Sequence, residues 1–593
     1  MATGWRHLSR RACLWVCVLL LAGAGPVDAQ ELSRQPVDLQ HTFFSRRASW
    51  MTLHTTSEPA TLRFVFSRMQ EEKGNLLALT FRAADGRAMP ASFSATPSHI
   101  TVSTGGAGAP SARAYIAGAF DAVVDTDRLG LEIASLKPEL TLTACSATAP
   151  VRCTASIAGW TVTIEVGRGT ARRAGDRWQL MPVSGRLRAA IRMHRGLAPG
   201  AWHPDPPRDL QAIDDDWKVF RAKLPAVPAE RVALAEAAWW NLWSLYAPAD
   251  THLATDGVLV AKAEMNAIWA WDHCFPALAL GLTDAEAGLD QLLLPFYNAD
   301  EHGQLPDVTS PDALYFGVTK PPIHGWALMK LMDRHTFTAA QLADVYARLA
   351  KWTEFWFARR DTDHNGFPEY GGEHSGWDSG WDNATVLGDP ATKYETPELQ
   401  AYLVLQMKAL ARVAGQLGRA DEATAWDRRG ERHLEGLMAR FWDGEHFLVR
   451  PIGGEVIAEP TSLLNLMPLV LGEHLDQAVF TRMADDLQRR FLTPFGPATE
   501  APASPLYVAD GYWRGPIWAP STYLIADGLR RGGRADLAEE IARRFSDLVA
   551  RAGGYYENYD ALSGTGLRTR GFAWTSAVAL LFMHEYPGRP SPQ

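Results

Sequence analysis

The first half of the 593-residue chain alternates apolar and polar residues with a period of two. The pattern is clearest in three stretches between residues 48 and 195, whose apolar positions are Leu62, Phe64 and Phe66; Trp160, Val162, Ile164 and Val166; and Leu187, Ala189, Ile191 and Met193. Such alternation, interrupted by Gly, Pro and Ser turns, is typical of antiparallel strands with one buried face. It predicts an antiparallel β-sandwich.

The apolar period changes after the proline-rich stretch APGAWHPDPPRD at residues 198–209. Apolar residues then recur every three or four positions, as in the series Leu342, Val345, Leu349, Trp352 and Trp356 and the series Leu403, Met407, Leu410, Ala414 and Leu417. This spacing is typical of amphipathic helices. Their recurrence between long Gly-, Trp- and Pro-rich loops predicts a toroid of paired helices, with a pocket shaped by the loops of one rim.

The N-terminus has the three regions of a secretory signal peptide. Arg6, Arg10 and Arg11 precede an apolar stretch from Ala12 to about Gly23, and small residues follow up to Ala29. The stretch is too short for a good membrane span, which favours export to the periplasm or the medium with no membrane contact after cleavage. The predicted division is a signal peptide at 1–29, a β-sandwich at 30–205, a linker at 206–229 and a helical catalytic domain at 230–593.

The cysteines that remain after signal cleavage are Cys145, Cys153 and Cys274. In an oxidising compartment the first two, eight positions apart, could close a small disulfide loop. Cys274 lies alone in an apolar aromatic stretch, where a buried thiol is expected.

Composition narrows the class of ligand. The formal charge of -9 and a pI near 6.0 provide no basic surface for nucleic acid or anionic lipid. The chain has 22 tryptophans, many of them beside Asp, Arg, Gly or Pro rather than in apolar runs. Tryptophan rings stack on sugars, so a small-molecule saccharide is the predicted partner.

Two acidic groups stand in a short repeat, HSGWDSGWDN, at residues 374–383. Cleavage of an acetal needs one carboxyl to protonate the leaving oxygen and a second to activate water or attack carbon. Asp378 and Asp382 are candidates for the acid, and Glu557, between Tyr556 and Asn558, is the candidate for the second carboxyl. A neighbouring aromatic ring would reduce solvation and raise the pKa of either group. The glycine before each tryptophan is expected to let the backbone approach the sugar.

Four segments, SGWDNAT, YWRGPIW, YYENYDALSGTG and FAWTSAVAL, resemble signature loops of the inverting (α/α)6 glycosidases. These include trehalases of family 37, processing glucosidases of family 63 and mannosylglycerate-hydrolase-like enzymes. The resemblance covers roughly residues 230–585, and a leading β-sandwich is usual in family 63. It implies an (α/α)6 toroid with Glu557 as general base and an acid within the repeat.

The resemblance favours Asp382 as the acid, because WDNAT continues as the family loops do whereas WDSGW does not. Asp378 would then bind a sugar hydroxyl or hold Trp381 in place. The sequence EHSGWD imitates the trehalase loop, however, so Asp378 stays the alternative acid. The remaining substrate-binding residues that the resemblance implies are Trp271, Asp272, Lys320, Trp377, Trp381, Arg514, Trp518 and Trp574.

Individual roles follow from the same resemblance. Trp271 and Asp272 would hold the sugar at the cleaved end, with Arg514 at the same subsite and close enough to keep a carboxylate charged. Trp574 would close the aromatic wall. Lys320 departs from the family pattern, because it stands where an amide is usual.

No cofactor is predicted. The stretch DTDHNGFPEYGGE imitates the first half of a calcium loop, with Asp361, Asp363 and Asn365 correctly spaced, but its twelfth position is Gly372 instead of glutamate. A tight turn is therefore favoured, and a structural calcium ion near these residues is the alternative.

The sequence thus predicts an exported inverting glycoside hydrolase acting on an α-glucosidic or α-mannosidic bond of a di- or oligosaccharide. A trehalase is the nearest alternative. Two other classes also stay open: a sugar epimerase or lyase that uses His324 or His374, and a carbohydrate-binding protein without catalysis.

Overall fold

The computed structural model describes residues 37–587 except 70, 107, 147, 149, 198 and 457–459. The predicted signal peptide at 1–29 lies outside the described residues. Strands dominate up to residue 194 and helices follow from residue 206. This confirms the predicted fold, an N-terminal antiparallel β-sandwich followed by an all-α (α/α)6 toroid.

The sandwich consists of two antiparallel sheets. Their strands are β1 (Met51–Thr55), β2 (Thr61–Phe66), β3 (Asn75–Ala83), β4 (Ser92–Ala95), β5 (Ile100–Ser103), β6 (Ser111–Ile116), β7 (Asp121–Asp127), β8 (Leu129–Ser135), β9 (Val151–Ile157), β10 (Trp160–Arg168), β11 (Thr170–Ala174), β12 (Arg177–Met181) and β13 (Arg186–His194). One sheet has the order β1-β2-β3-β8-β12-β11 and the other β4-β5-β6-β7-β13-β10-β9. The residues of the period-two pattern form the core between them; Leu62, Phe64 and Phe66, for example, are fully buried.

A disulfide bond joins Cys145 to Cys153 at the start of β9. Cys274 is a free, buried thiol, as expected. The disulfide closes only a short loop at the edge of the second sheet, so it constrains the connection between β8 and β9 rather than the core.

The second half is built from helices α1 (Pro206–Arg221), α2 (Val232–Leu245), α3 (Cys274–Leu280), α4 (Ala285–Leu293), α5 (His324–Arg334), α6 (Ala339–Arg359), α7 (Ser375–Ser379), α8 (Pro397–Gln416), α9 (Ala420–Phe441), α10 (Gln477–Asp486), α11 (Ala519–Arg531), α12 (Ala535–Ala552) and α13 (Ala573–Glu585). A 3-10 segment at Leu463–His474 packs against α8 and α11. None of the helices described is long and apolar enough to cross a membrane.

The helical ring closes on itself, because the last helix, α13, packs against α2. Asn241 of α2 donates a hydrogen bond to Ser576 of α13 over 2.8 Å. The predicted apolar faces of α6 and α8 are buried, apart from the partly buried Leu417 just beyond α8. A closed ring leaves its loops at the rims, and the candidate site lies among them.

The predicted linker at 206–229 is in part a packed helix, α1. Asp205 caps its N-terminus by accepting a hydrogen bond from the Arg208 amide, and prolines occupy the first helical positions. Proline is well tolerated there because those amides have no helical acceptor. Trp217 and Phe220 are buried, and the Phe220 ring stacks on Trp239 of α2. The predicted linker therefore begins with a helix rather than with an extended segment.

Short strands support the loops of the site: β14 (Tyr246–Ala247), β15 (Gly257–Val258), β16 (Ile268–Trp269), β17 (Val308–Thr309), β18 (Leu314–Tyr315), β19 (Tyr394–Glu395), β20 (Arg450–Pro451), β21 (Leu492–Thr493), β22 (Gly496–Pro497), β23 (Ile517–Trp518), β24 (Tyr556–Tyr559) and β25 (Gly566–Arg570). The order β16-β17-β18 makes one small sheet and β23-β24-β25 another.

Arginines of the sandwich hold the β17–β18 hairpin. The Arg68 guanidinium is buried and donates to Asp250 over 2.6 and 3.1 Å and to Asp312 over 2.7 Å. Arg195 also pairs with Asp312, and both arginines lie over the ring of Trp160. Because Asp312 lies in the hairpin turn, this latch ties one wall of the site region to the sandwich.

We expect the substitution Arg68→Ala to lower the free energy of unfolding by about 3 kcal/mol, since it leaves Asp250 without its buried cation while Asp312 keeps Arg195. Thermal unfolding would show a lower midpoint. Arg87→Ala, which removes an exposed pair with Asp85, is the matched control and should leave the midpoint unchanged. Equal midpoints for both variants would contradict the latch.

Candidate active site

The repeat at 374–383 folds into one helical turn followed by an irregular loop. Helix α7 begins after His374, whose Nδ1 accepts a hydrogen bond from the Trp377 amide, and ends at Gly380 with a left-handed φ of 69°. A Cβ at Gly376 would lie 2.1 Å from the Asp382 carbonyl oxygen, and one at Gly380 would lie 2.7 Å from the Trp271 ring. The glycines therefore allow the loop to fold on itself and on Trp271, rather than to approach a sugar as the sequence suggested.

Asp378 is fully buried and its carboxylate is occupied by protein donors. The amide and hydroxyl of Thr319 donate to Oδ1 over 2.6 and 3.1 Å. The amides of Gly371 and Gly372 donate to Oδ2 over 2.7 and 2.5 Å, and Arg360 lies 3.4 Å from the same oxygen. These contacts leave no lone pair directed at solvent, so the structure corrects the predicted sugar contact: Asp378 joins loops of the chain to one another.

The carboxyl of Asp382 lacks the protein contacts that Asp378 has. Its side chain is partly exposed, and apart from its own amide no group of the described residues hydrogen-bonds to its carboxyl. Burial raises its pKa, while Lys320 and His374 act in the opposite direction. The neighbouring Asn383 accepts a hydrogen bond from the Trp513 amide over 2.9 Å and donates to the Gly511 carbonyl over 3.0 Å. The loop that carries Asp382 is thus fixed while the carboxyl itself is free to act.

Glu557 lies on β24, where it is almost completely buried. Its Oε1 accepts a hydrogen bond from the Tyr512 hydroxyl over 2.9 Å, and its carbonyl oxygen accepts one from Trp574 Nε1 over 3.1 Å. Burial raises the pKa of Glu557 to about 7, against the opposing hydrogen bond from Tyr512. Tyr512 has a left-handed φ of 65°, which is unusual for a bulky residue and is held by the contacts around it.

Asp382 and Glu557 lie on loops that are linked by hydrogen bonds. The link runs from Asp382 through Asn383 to the Trp513 amide, and from the adjacent Tyr512 to Glu557. The charge of Asp382 also contributes to the raised pKa of Glu557. Two carboxyls separated by 175 positions in the sequence are therefore brought into electrostatic contact.

Five tryptophans pack together beside the two carboxyls: Trp271, Trp381, Trp513, Trp518 and Trp574. The rings of Trp513 and Trp518 are stacked with centroids 4.0 Å apart, and Trp381 lies 4.6 Å from Trp513. All five are buried. Because both rings pack on Trp513 and are almost fully buried, Trp381 and Trp518 offer no open stacking face, although the sequence predicts direct sugar contact for them.

The Lys320 ammonium lies among several carboxyls, including that of Asp382. Lys320 is buried, lies 3.4 Å from Asp307 and donates to the carbonyl oxygen of Trp377. Burial would lower its pKa, but Asp307, Asp382 and the other nearby carboxyls outweigh this and raise it. Burial raises the pKa of Asp272 to about 8 despite Lys320, so Asp272 can hold a proton at neutral pH.

Arg514 does not have the predicted ionic role in this structure. Its guanidinium donates to the Leu506 carbonyl over 3.4 Å, its Nε has no hydrogen-bond partner, and it forms no ion pair with any carboxylate of the residues described. The buried cation beside the carboxyls is Lys320 instead.

The Asp361 loop forms a turn through its own contacts. Asp361 accepts hydrogen bonds from the amides of Asn365 and Gly366 over 2.9 and 3.0 Å, and Asn365 donates to Asp363 over 2.8 Å. In the part of the chain that the structure describes, no group of three or more His, Cys, Asp or Glu side chains is arranged to hold a metal ion.

Sequence reasoning missed Tyr512, Trp513 and Asp307. The first two stand within the quoted segment YWRGPIW, and a closer reading of that segment could have included them. Asp307 has no local signal, because the sequence around it is an ordinary turn and its importance comes from its distance to Lys320.

Comparison with known proteins identifies the family of the chain. The model of the mannosylglycerate hydrolase MGH1-like glycoside hydrolase domain matches residues 265–575. The chain is 35% identical over 170 residues to a mannosylglycerate hydrolase of Thermus thermophilus, which covers 27% of this chain and 38% of that protein. It is 24% identical over 396 residues to mannosylglycerate hydrolase MGH1 of Selaginella moellendorffii, covering 53% and 80%.

Among solved structures, a bacterial glucoamylase complexed with acarbose superposes with a TM-score of 0.61 at 9% identity, covering 92% of this chain and 93% of that one. The likeness therefore includes the sandwich as well as the toroid. Fold and family together define a glycoside hydrolase. Within that class, the chain belongs to the family of mannosylglycerate hydrolase MGH1-like glycoside hydrolases.

Replacement of each aspartate of the repeat by asparagine should change the stability of the protein differently. Asp378→Asn turns an amide NH₂ toward backbone donors, so we expect a loss of about 2–3 kcal/mol in the free energy of unfolding. Asp382→Asn removes a desolvated charge with no bound partner, so its unfolding midpoint should be unchanged or higher. Thermal unfolding of both variants is the measurement. A larger loss for Asp382→Asn would contradict the contacts described.

Proposed function

We propose that the protein is an inverting glycoside hydrolase that cleaves an α-glucosidic or α-mannosidic bond of a di- or oligosaccharide. Asp382 acts as general acid and Glu557 as general base. The observation that carries the proposal is the electrostatic interaction of these two carboxyls, whose loops are linked through Asn383, Trp513 and Tyr512 beside a cluster of buried tryptophans.

The roles follow from the surroundings of each group. A general acid needs a free carboxyl with a raised pKa, and Asp382 has both, whereas the oxygens of Asp378 already accept protein hydrogen bonds. The base has to be oriented toward water, and Glu557 is oriented by Tyr512. Inversion leaves room for that water when the carboxyls are about 6.5–9.5 Å apart.

In the reaction, Asp382 gives its proton to the glycosidic oxygen as the bond to the anomeric carbon breaks. Glu557 takes a proton from a water that attacks the same carbon from the opposite face. Asp272 and Lys320, which lie near each other, would hold hydroxyls of the cleaved sugar. Because Asp272 can be protonated at neutral pH, it can donate as well as accept a hydrogen bond.

The epimerase or lyase alternative finds little support. His324 is buried, contacts the Ala270 carbonyl over 3.0 Å, and has its pKa lowered to about 4 by burial. His374 lies under the Trp377 ring and bonds to the Trp377 amide. Neither histidine is placed like the free base that proton abstraction from a sugar ring needs.

Export to the periplasm or the medium is part of the proposal. The Cys145–Cys153 disulfide supports it, since disulfides persist in oxidising compartments. The sequence of residues 1–29 supports it independently.

Hydrolysis of a panel of α-linked glucosides and mannosides, including trehalose, followed by proton NMR, tests the reaction. We expect the first sugar released to have the inverted, β configuration. Asp382→Asn and Glu557→Gln should each lower kcat by about 10²- to 10⁴-fold without unfolding the protein. Release of the α anomer, or full activity of either variant, would refute the mechanism.

A second test uses the pH profile. The acidic limb of kcat/KM should report deprotonation of Glu557, near pH 7. The Tyr512 hydroxyl stabilises the charged carboxylate and so lowers this pKa; Tyr512→Phe should move the acidic limb upward by about half to one pH unit. Arg87→Ala, on an exposed turn of the sandwich, should leave the profile in place. A limb that stays fixed in Tyr512→Phe would show that another group controls it.

A further inference from the structure

We propose that Glu500 and Thr385 are positioning residues, which hold the loop of the general acid in place through a hydrogen bond between their side chains. The inference rests on the proposed function and adds to its reaction two residues to which the sequence assigns no role. Three features carry it: the burial of Glu500, the place of Thr385 in the acid loop and the link of the same segment to the general base.

Glu500 is a fixed acceptor in the interior of the toroid. It is fully buried, and its neighbours in the chain are held on both sides. The Ala501 amide donates to the Thr461 carbonyl over 2.9 Å, and the Thr499 hydroxyl donates to the Pro516 carbonyl over 2.8 Å. The backbone that carries the carboxylate is therefore anchored before and after Glu500.

The carboxylate of Glu500 has one hydrogen-bond donor among the described residues, the hydroxyl of Thr385. This hydroxyl donates to Oε2 over 2.6 Å, which is the distance of a strong hydrogen bond to a carboxylate. The other oxygen, Oε1, is buried and has no partner among the same residues. Because a buried carboxylate with a single donor contributes little to stability, its effect on Thr385 is the better account of its presence.

Thr385 belongs to the turn that carries the proposed acid. The Ala384 amide donates to the Trp381 carbonyl over 2.8 Å and closes a turn around Asp382. The carboxyl of Asp382 accepts no hydrogen bond from another described residue, so its position depends on this backbone. Asn383 anchors the turn one position after the acid, and Thr385 anchors it three positions after. Loss of the second anchor would let the turn tilt about the first.

The segment that includes Glu500 also holds the general base. The Gly515 amide donates to the Thr499 hydroxyl over 3.1 Å, which joins the two ends of the segment. Between these ends lies Tyr512, whose hydroxyl donates to Glu557. The acid loop and the base are thus attached to one stretch of chain. The contact between Glu500 and Thr385 therefore bears on the position of the acid relative to the base, on which proton delivery depends.

Thr385→Val and Thr385→Ser test the contact with two substrates that share the cleaved sugar. One is the α-linked disaccharide that the wild type hydrolyses fastest. The other is the corresponding α-glucosyl or α-mannosyl fluoride, whose leaving group needs little help from a general acid. We expect Thr385→Val, which replaces the hydroxyl by a methyl group, to lower kcat/KM for the disaccharide about tenfold relative to that for the fluoride. Thr385→Ser keeps the hydroxyl and should retain most of the wild-type ratio.

Two further variants complete the test. Glu500→Met has a similar volume and no acceptor, so it should lower the same ratio, and the double variant with Thr385→Val should lose no more than either single one. Thr353→Val is the matched control, because it removes a buried hydroxyl that donates to the Leu349 carbonyl within α6. It should leave the ratio unchanged.

The outcomes separate the positioning role from the reaction. Hydrolysis of neither substrate by the wild type, or of the fluoride alone, would overturn the proposed function itself. If the wild type hydrolyses both, an unchanged ratio in Thr385→Val would overturn only the positioning role. An equal loss for both substrates would do the same, because a general loosening of the fold slows both reactions alike.

Discussion

The site depends on one buried carboxylate, that of Asp378. Four hydrogen bonds from Thr319, Gly371 and Gly372 and an ion pair with Arg360 join it to three other segments of the toroid. A desolvated carboxylate is costly unless its oxygens are satisfied, so these segments are held in the arrangement that satisfies them. That arrangement fixes α7, and through α7 the loop that ends in Asp382.

The two copies of Ser-Gly-Trp-Asp have opposite environments. In the first copy the tryptophan is open and the aspartate is saturated; in the second, Trp381 is buried and Asp382 is partly exposed. Gly380, with its left-handed backbone, ends the helix between them and reverses which side chain points inward. The same four residues therefore give two different environments: the Asp378 carboxylate joins loops through hydrogen bonds, whereas the Asp382 carboxyl accepts none from another of the described residues.

The periodicity of apolar residues was sufficient to predict the sandwich and the paired helices, because burial of one face follows directly from spacing. The loop motifs identified Glu557 and Asp382 as candidates through their resemblance to known glycosidases. Spacing could not reveal that Trp518 is covered, that Arg514 lacks an ionic partner or that Asp307 lies beside Lys320. These features arise from contacts between segments distant in sequence. For the same reason, spacing could not reveal that a helix begins at Pro206, within the predicted linker.

A series of charged residues also connects the sandwich to the candidate site. Arg68 and Arg195 hold Asp312 at the turn of the β17–β18 hairpin, and the base of that hairpin carries Asp307. Asp307 in turn faces Lys320, the ammonium that opposes the raised pKa values of both Asp272 and Asp382. A shift of the hairpin would alter the electrostatic field at Asp382 without any contact between the sandwich and that residue. Under the proposed mechanism, the first domain would therefore act on the acid through charge and position.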